Sequence, residues 1–364
     1  MPTNPPALIG SRLLSWAGKW RLLREPFTPP APTDADESLF VFLERRLGRE
    51  AAQVFAPVMA GIYSTDPMHQ SLNASFPILR ELEREGGSLV RGMLKRRSKS
   101  KAQKTAVQVP RAISFRNGVG TLIDALEAKL RSQSNCEIRF NARVTSLEAR
   151  GDTQQLRLES GEVLTADAVI LACPAPVSAS LLEGHAPDAA RALRALRHLS
   201  IGTLALQYPT AALEAHRAVR GLMIPRSSER AIDAVLFTGF KMPSRVTRET
   251  TLLRVFFGAA RPDLVTMPEP ELLAVVQAEL RTTLELEAQP LAWQVFRWAE
   301  SFPSLEVGHL ERVAAAERVV PNGVLLAGAS YYGLGVPDCV RQGRDAAERA
   351  AHITTKRPAA EVTA

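Results

Sequence analysis

Apolar and polar positions change their spacing several times along the chain, and each change marks an expected element. "LIGSRLLSWAGKWRLL" places apolar residues three and four apart, "EPFTPPAPTDADES" is a breaker-rich connection, and "ESLFVFLERRLGREAAQVFAPVMAGIY" resumes the helical spacing. Residues 1–110 are therefore expected to be helical and not a mononucleotide-binding unit. "FRNGVGTLIDALEAKL" reads as a glycine turn followed by an amphipathic helix, with Leu122, Ala125, Leu126, Lys129 and Leu130 about one face. "CEIRFNARVTSLEAR" and "QQLRLESGEVLTAD" alternate with a period of two and predict two strands joined around Gly151-Asp152. "AVILACPAP" is continuously apolar up to Pro174 and Pro176, the pattern of a central strand buried on both faces.

Further strands are expected in "GTLALQYP", "AVLFTGF", "TLLRVFFG" and "AWQVFRWAES", with an amphipathic helix in "EPELLAVVQAELRTTLEL". The chain then reaches "LLAGASYYGLGVPDCVRQGRDAAERA": an apolar strand, a loop carrying Gly333 and Gly335, and a helix start. A helix N-terminus offers unpaired N–H groups and partial positive charge, which suits a phosphate or a ring atom that becomes anionic. By itself the junction is equally well read as an ordinary tight connection. The order of elements predicts a mixed α/β chain of two lobes, crossed more than once, with a disordered tail over 354–364.

Composition narrows the function classes. The net charge is +7 over 364 residues, and "RGMLKRRSKSKAQK" gathers much of the basic charge. That run reads as a solvated, mobile loop, or as an attraction for anionic lipid or an acidic partner. It has no interleaved aromatic residues for stacking on bases, so nucleic acid is not expected as a partner. Cys136, Cys173 and Cys339 form no CxxC pair, and the six histidines show no HxxxH or HExxH spacing. Neither a disulfide framework nor a metal site is expected. No GxSxG elbow occurs, so Ser-based hydrolysis is not expected; no apolar run is long enough to span a membrane and no export signal is read, and the isolated cysteines fit a reducing, cytoplasmic setting.

"LAGASYYGLGVPDCVRQGRDAA" resembles the C-terminal flavin-contacting segment of the oxygen-dependent protoporphyrinogen oxidases, members of the flavin amine-oxidase superfamily. "DESLFVFLERRLGREAAQVFAPVMAGIYSTDP", "SFRNGVGTLIDALEAKL", "ADAVILACPAP" and "LLRVFFGAARPDL" resemble stretches of that family in the same order, and the resemblance runs to about Ala350. It implies a two-lobed FAD/NAD(P)-binding-like fold of the amine-oxidase type. FAD-binding parts would lie at 111–190 and 293–353, a β-rich substrate part at 191–292, and a helical, substrate-binding and membrane-facing part at 1–110. The resemblance places Val144 at the adenine of FAD, Trp298 near the flavin, and Val336, Pro337 and Asp338 at the isoalloxazine turn. It also places Gly61 on the tetrapyrrole slot. Read alone, Trp298 is a core aromatic, Val144 a strand residue and Gly61 a helix cap.

The implied reaction is removal of six electrons from a porphyrinogen, hydride passing to FAD and oxygen taking the electrons to give hydrogen peroxide. The cofactor carries the chemistry, so no catalytic side chain is expected. Porphyrinogen and molecular oxygen are the implied partners; a homodimer, a separate N-terminal fragment and peripheral membrane contact are left open.

One departure stands out. The family begins with a strand, a GxGxxG turn and a helix that hold the FAD pyrophosphate. Gly86-Gly87 lies in a helical region and "NGVG" lacks the spacing. The expectation is a chain without the N-terminal Rossmann βαβ, binding FAD weakly or not at all by itself, with a bare sheet edge. Two other readings stay open: another oxidoreductase of the superfamily, such as a desaturase or an amine oxidase, and a non-catalytic remnant that binds tetrapyrrole or a partner. Protoporphyrinogen and coproporphyrinogen differ in carrying vinyl or propionate groups. Arg226 or Arg254 beside the slot would favour the more acidic of the two.

Overall fold

A computed structural model describes residues 13–31, 35–102, 113–225 and 228–355. The expected tail therefore lies outside the described residues from 356 onward, and residue 354 is still helical. Arg226 also lies outside them.

The N-terminal part is helical, with α1 (Trp16–Leu23), α2 (Leu39–Leu47), α3 (Arg49–Ala60), α4 (Pro77–Gly86) and α5 (Leu89–Ala102). Ser15 and Ser38 cap α1 and α2 by accepting the N–H groups of Gly18 and Val41. Leu39, Phe42, Ala52, Ala56 and Leu72 form the core of this part. A buried charge holds its outer helices: Arg46, fully enclosed, donates to the Glu25 carboxylate. The same carboxylate accepts the N–H groups of Leu89 at 2.8 Å and Val90 at 3.2 Å, at the start of α5.

This corrects the reading of the basic run as a loop. Most of it is α5, nucleated by an acidic cap from far upstream and held to α4 where Arg96 pairs with Glu81 and Glu85. Its last two residues, 103 and 104, are outside the described set.

Beyond α6 (Gly120–Arg131) comes an antiparallel meander of β1 (Val144–Arg150), β2 (Thr153–Leu158) and β3 (Val163–Ala166). Two strands were expected here. The second run folds into two because Gly161, at φ +90°, turns the chain where the alternation looks continuous. Next are β4 (Val169–Leu171), α7 (Ala175–Leu182) and α8 (Pro187–Arg194). β4 pairs in parallel with β10 (Val324–Leu326), the strand that leads into the glycine loop.

These elements pack with α10 (His309–Val319) around Leu171, Ala179, Leu193, Val313 and Tyr331. β4 departs from expectation: Ile170 is 37% exposed, and among the described residues its only ladder partner is β10. α6 likewise buries no residue, and Ile123 and Leu126 of its apolar face are exposed.

The largest sheet has five antiparallel strands, in the order β6 (Gly221–Met223), β7 (Ile232–Phe237), β8 (Thr250–Phe257), β5 (His198–Pro209) and β9 (Ala292–Pro303). One face packs Leu204, Val235, Val255 and Phe257 against Leu272, Val276 and Leu280 of α9 (Glu269–Leu284). β9 adds to the edge of this sheet, so the chain returns to β4, through β10, only after Pro303. The last helix, α11 (Val336–Thr355), follows the glycine loop. No described helix is long and apolar enough to cross a membrane.

Candidate functional site

The other face of the five-stranded sheet carries open aromatic side chains. Cross-strand partners share a face. The pairings Met223↔Ala234, Ala234↔Phe256, Thr203↔Phe256 and Thr203↔Phe296 thus set one row of side chains across all five strands. A second row runs Gly221, Leu236, Arg254, Ala205, Gln294.

Trp298 lies two residues beyond Phe296 on β9, and the two rings stack with centroids 6.2 Å apart and planes 15° apart. Phe256, Phe296, Trp298 and Phe302 line a cavity of about 540 Å³ with Ile201, Thr203 and Arg254. Phe296 is 41% and Trp298 44% exposed, so two large aromatic faces stand open to a ligand. Such residues are ordinarily covered, and their exposure is the feature to explain.

The loop after β10 is fixed from below by buried polar groups. Ser330 Oγ accepts the N–H of Ala175 at 3.0 Å and lies 2.8 Å from His198 Nε2. His198 Nδ1 is 2.8 Å from the Leu196 carbonyl, which can only accept. The proton therefore sits on Nδ1, and Ser330 donates to Nε2. His309, fully buried, reaches the Tyr331 carbonyl at 2.9 Å, and Ser178 lies 3.3 Å from the Tyr331 hydroxyl. Burial holds both imidazoles below their ordinary 6.5 and pushes the Tyr331 phenol up to about 12. Because β5 carries both His198 and Ile201, the partner of Trp298, the loop anchor and the aromatic face are about 10 Å apart along one strand.

Each expected site residue now has a place. Val336, half-exposed, opens α11, and Pro337 and Asp338 complete its first turn. The Asp338 side chain folds back over the loop: a Cβ on Gly333 or Gly335 would meet its carboxylate at 2.8 or 2.9 Å. That charge offsets the partial positive charge of the helix end, so the turn is not a bare anion site; Arg341 stands 3.4 Å from Asp338 and offsets it in part.

Val144 begins β1 at a register shift and lines a cleft of about 620 Å³ with Leu171, Cys173 and Val177. Gly61 ends α3 at φ −58°, in the right-handed region, and borders a cavity of about 410 Å³. A Cβ on it would lie 2.0 Å from the Met223 methyl, so the space it leaves is filled by Met223. Met223 and Phe296 stand at opposite ends of the same row, four strand spacings or roughly 19 Å apart. Tyr63 donates to the Ser75 carbonyl at 2.7 Å, and burial, then the Asp338 charge, raises its phenol.

An FAD molecule needs an apolar face for its ring, a strand edge for adenine and an anion site for pyrophosphate. Trp298, at one end of the aromatic face, with the glycine loop offers the first and leaves the rest of that face to a second flat ligand, and the irregular start of β1 offers the second. The Asn117–Gly120 turn opens α6 but lacks the GxGxxG spacing and follows no strand, so the third need is not met among the described residues and the fit is partial. The same residues hold no cluster of metal-ligating side chains.

Sequence reasoning missed Phe256, Phe296, His198 and Ser330. The i, i+2 spacing of Phe296 and Trp298 was a signal; the long-range pairing that joins them to Phe256 was not readable locally.

Comparison with known proteins places this arrangement. The chain matches the family of flavin containing amine oxidoreductases over residues 1–351. It is 30% identical to a coproporphyrinogen III oxidase of Bacillus subtilis, across 95% of this chain and 74% of that protein. It is 27% identical to a chloroplastic protoporphyrinogen oxidase of Nicotiana tabacum, across 85% of this chain and 61% of that protein. A crystal structure of an Exiguobacterium sp. 255-15 protein assigned as a protoporphyrinogen oxidase superposes with a TM-score of 0.76 at 24% identity, covering 98% of this chain and 76% of that one. A redesigned putrescine oxidase matches with a TM-score of 0.63 at 16% identity, covering 98% and 78%. The α/β architecture is thus the fold shared by these two proteins. The chain belongs to the flavin-containing amine oxidoreductase family and is related, at low to moderate identity, to the porphyrinogen oxidases.

Proposed function

We propose that the chain acts in the FAD-dependent, oxygen-linked oxidation of a porphyrinogen to the porphyrin, in a reducing, cytoplasmic setting. The observation that carries this reading is the open aromatic face: Phe256, Phe296 and Trp298 line a cavity suited to a broad, flat, apolar ligand. The residues lining it include no histidine, carboxylate or lysine that could serve as a general base. A reaction run by a redox cofactor needs none. When bound, FAD would supply a two-electron acceptor, and three such oxidations remove the six electrons, with three oxygen molecules reduced to peroxide.

The protein's part is positional. The aromatic face covers one side of the ring and excludes water, while the loop fixed by His198, His309 and Ser330 presents α11 to the cofactor. Val144 supports the adenine end, and Val336, Pro337 and Asp338 the isoalloxazine end. Gly61 acts through Met223, at the far end of the row.

The test is a substrate panel. The chain is incubated in air with FAD and either coproporphyrinogen III, protoporphyrinogen IX or putrescine, with porphyrin fluorescence and peroxide as readouts. FAD-dependent porphyrin with matching peroxide is expected from a porphyrinogen and none from the amine. Peroxide from putrescine with porphyrinogens untouched would assign the chain to amine oxidation instead.

A further inference from the structure

The open sheet face is not uniformly apolar. Along β8 and β5 it grades from the aromatic cavity through Arg254 to a second cavity, of about 630 Å³, lined by Arg116, Arg245, Gln207, Thr247 and Leu252. Leu252 is two residues from Arg254 on the same strand, and Gln207 is its cross-strand partner. The two cavities are therefore about 7 Å apart along one continuous strip.

Arg254 is exposed between Leu236 and Ala205, neither of which can accept a hydrogen bond through its side chain. Among the described residues neither Arg254 nor Arg116 has a carboxylate within ion-pair distance. Arg245 is held by neutral acceptors only, donating to Ser114 Oγ at 2.9 Å and the Phe115 carbonyl at 3.1 Å. Elsewhere on the molecule arginines are commonly paired: Arg45, Arg46, Arg80, Arg96, Arg139 and Arg230 all meet glutamates. Three arginines left without an acid along one strip, next to open aromatic rings, match a flat ligand that carries its own carboxylates at one edge.

We infer that Arg254, with Arg116 and Arg245 behind it, is a carboxylate-reading edge of the aromatic site and sets its preference for the more highly carboxylated tetrapyrrole. The inference rests on the porphyrinogen reading and adds its selectivity. Phe256, Phe296 and Trp298 cover the ring, which is common to all candidate tetrapyrroles and so discriminates little. Discrimination comes from the rim. A guanidinium forms paired, charge-assisted hydrogen bonds with a carboxylate, only a weaker single one with a neutral ester carbonyl, and none with a vinyl group. Coproporphyrinogen, with four propionates, can place a carboxylate on this edge in more orientations than protoporphyrinogen, with two. The Arg254 contact also orients the ring relative to Trp298.

The test uses stable porphyrins as probes and the full chain. Coproporphyrin III and its tetramethyl ester are titrated at low salt against wild type, Arg254→Leu, Arg254→Lys and Arg116→Leu, following quenching of tryptophan fluorescence. Wild type is expected to bind the tetracarboxylate about tenfold more tightly than the ester. Arg254→Leu should bring the two within about threefold while leaving ester affinity unchanged, Arg254→Lys should retain part of the preference, and Arg116→Leu should reduce it to a smaller extent. Arg254 is exposed, so thermal melting of its variants should match wild type. An Arg254→Leu protein that keeps the wild-type ratio overturns the inference and leaves the porphyrinogen reading intact. Failure of the folded wild type to bind either porphyrin overturns both.

Discussion

His198 Nε2 and Ser330 Oγ lie 2.8 Å apart, joining the first residue of β5 to the loop that precedes α11. Ser330 is buried and also accepts the Ala175 N–H, so one hydroxyl joins β5, α7 and the glycine loop. Ser330→Ala leaves a buried N–H and an imidazole nitrogen without partners, a loss of about 1–3 kcal/mol. Urea denaturation should show a lower midpoint with an unchanged slope, and FAD affinity should fall because the loop is no longer fixed.

The same histidines make stability depend on pH. His198 and His309 both have folded values below 6.5, chiefly through burial. As pH falls below 6.5 the unfolded chain takes up protons first. The stability contributed by the neutral rings is complete above 6.5 and is lost as pH falls through their folded values. The melting temperature should therefore decline between pH 7 and 5. His309→Asn should lower it at pH 7 and flatten the decline; an unaltered pH slope would count against this account.

Glu25 lets the helical part be tested separately. Burial alone would raise its pKa, but hydrogen bonds from Ser88, Arg46 and the N–H groups of Leu89 and Val90 hold it below the usual carboxylate range. Glu25→Ala leaves the buried Arg46 guanidinium with Glu83, at 3.4 Å, as its carboxylate partner and uncaps α5, with an expected loss of about 3 kcal/mol. Removing both charges in Glu25→Leu/Arg46→Met should restore much of that loss, as measured by urea denaturation.

Gly61 separates two roles. If it matters through Met223, Gly61→Ala displaces a flexible methionine and porphyrin affinity drops severalfold, and adding Met223→Ala restores it. If Gly61 itself adjoined the ligand, the double variant would bind as poorly as the single one.

The strands and the last helix were legible because local alternation and the glycine loop mark them without reference to the rest of the chain. The site was legible only in fragments. Trp298 and Phe296 share a face by spacing alone, but Phe256 and Arg254 join them through ladders between β8, β5 and β9, a long-range pairing that no local pattern encodes. α5 was misread as a loop for the same reason, since its cap, Glu25, lies more than sixty residues upstream. The expectation of a doubly buried β4 failed because periodicity reports what a strand can bury, whereas Ile170 records what lies against it.

The most direct test of the central claim is an absorption and fluorescence titration of the purified chain with FAD. The account predicts saturable binding with a resolved, shifted flavin band and quenched tryptophan emission, the quench largely lost in Trp298→Phe. Affinity in the micromolar range, on the order of −8 kcal/mol, is expected. A free-flavin spectrum at every concentration, with unquenched emission from a folded chain, would contradict it.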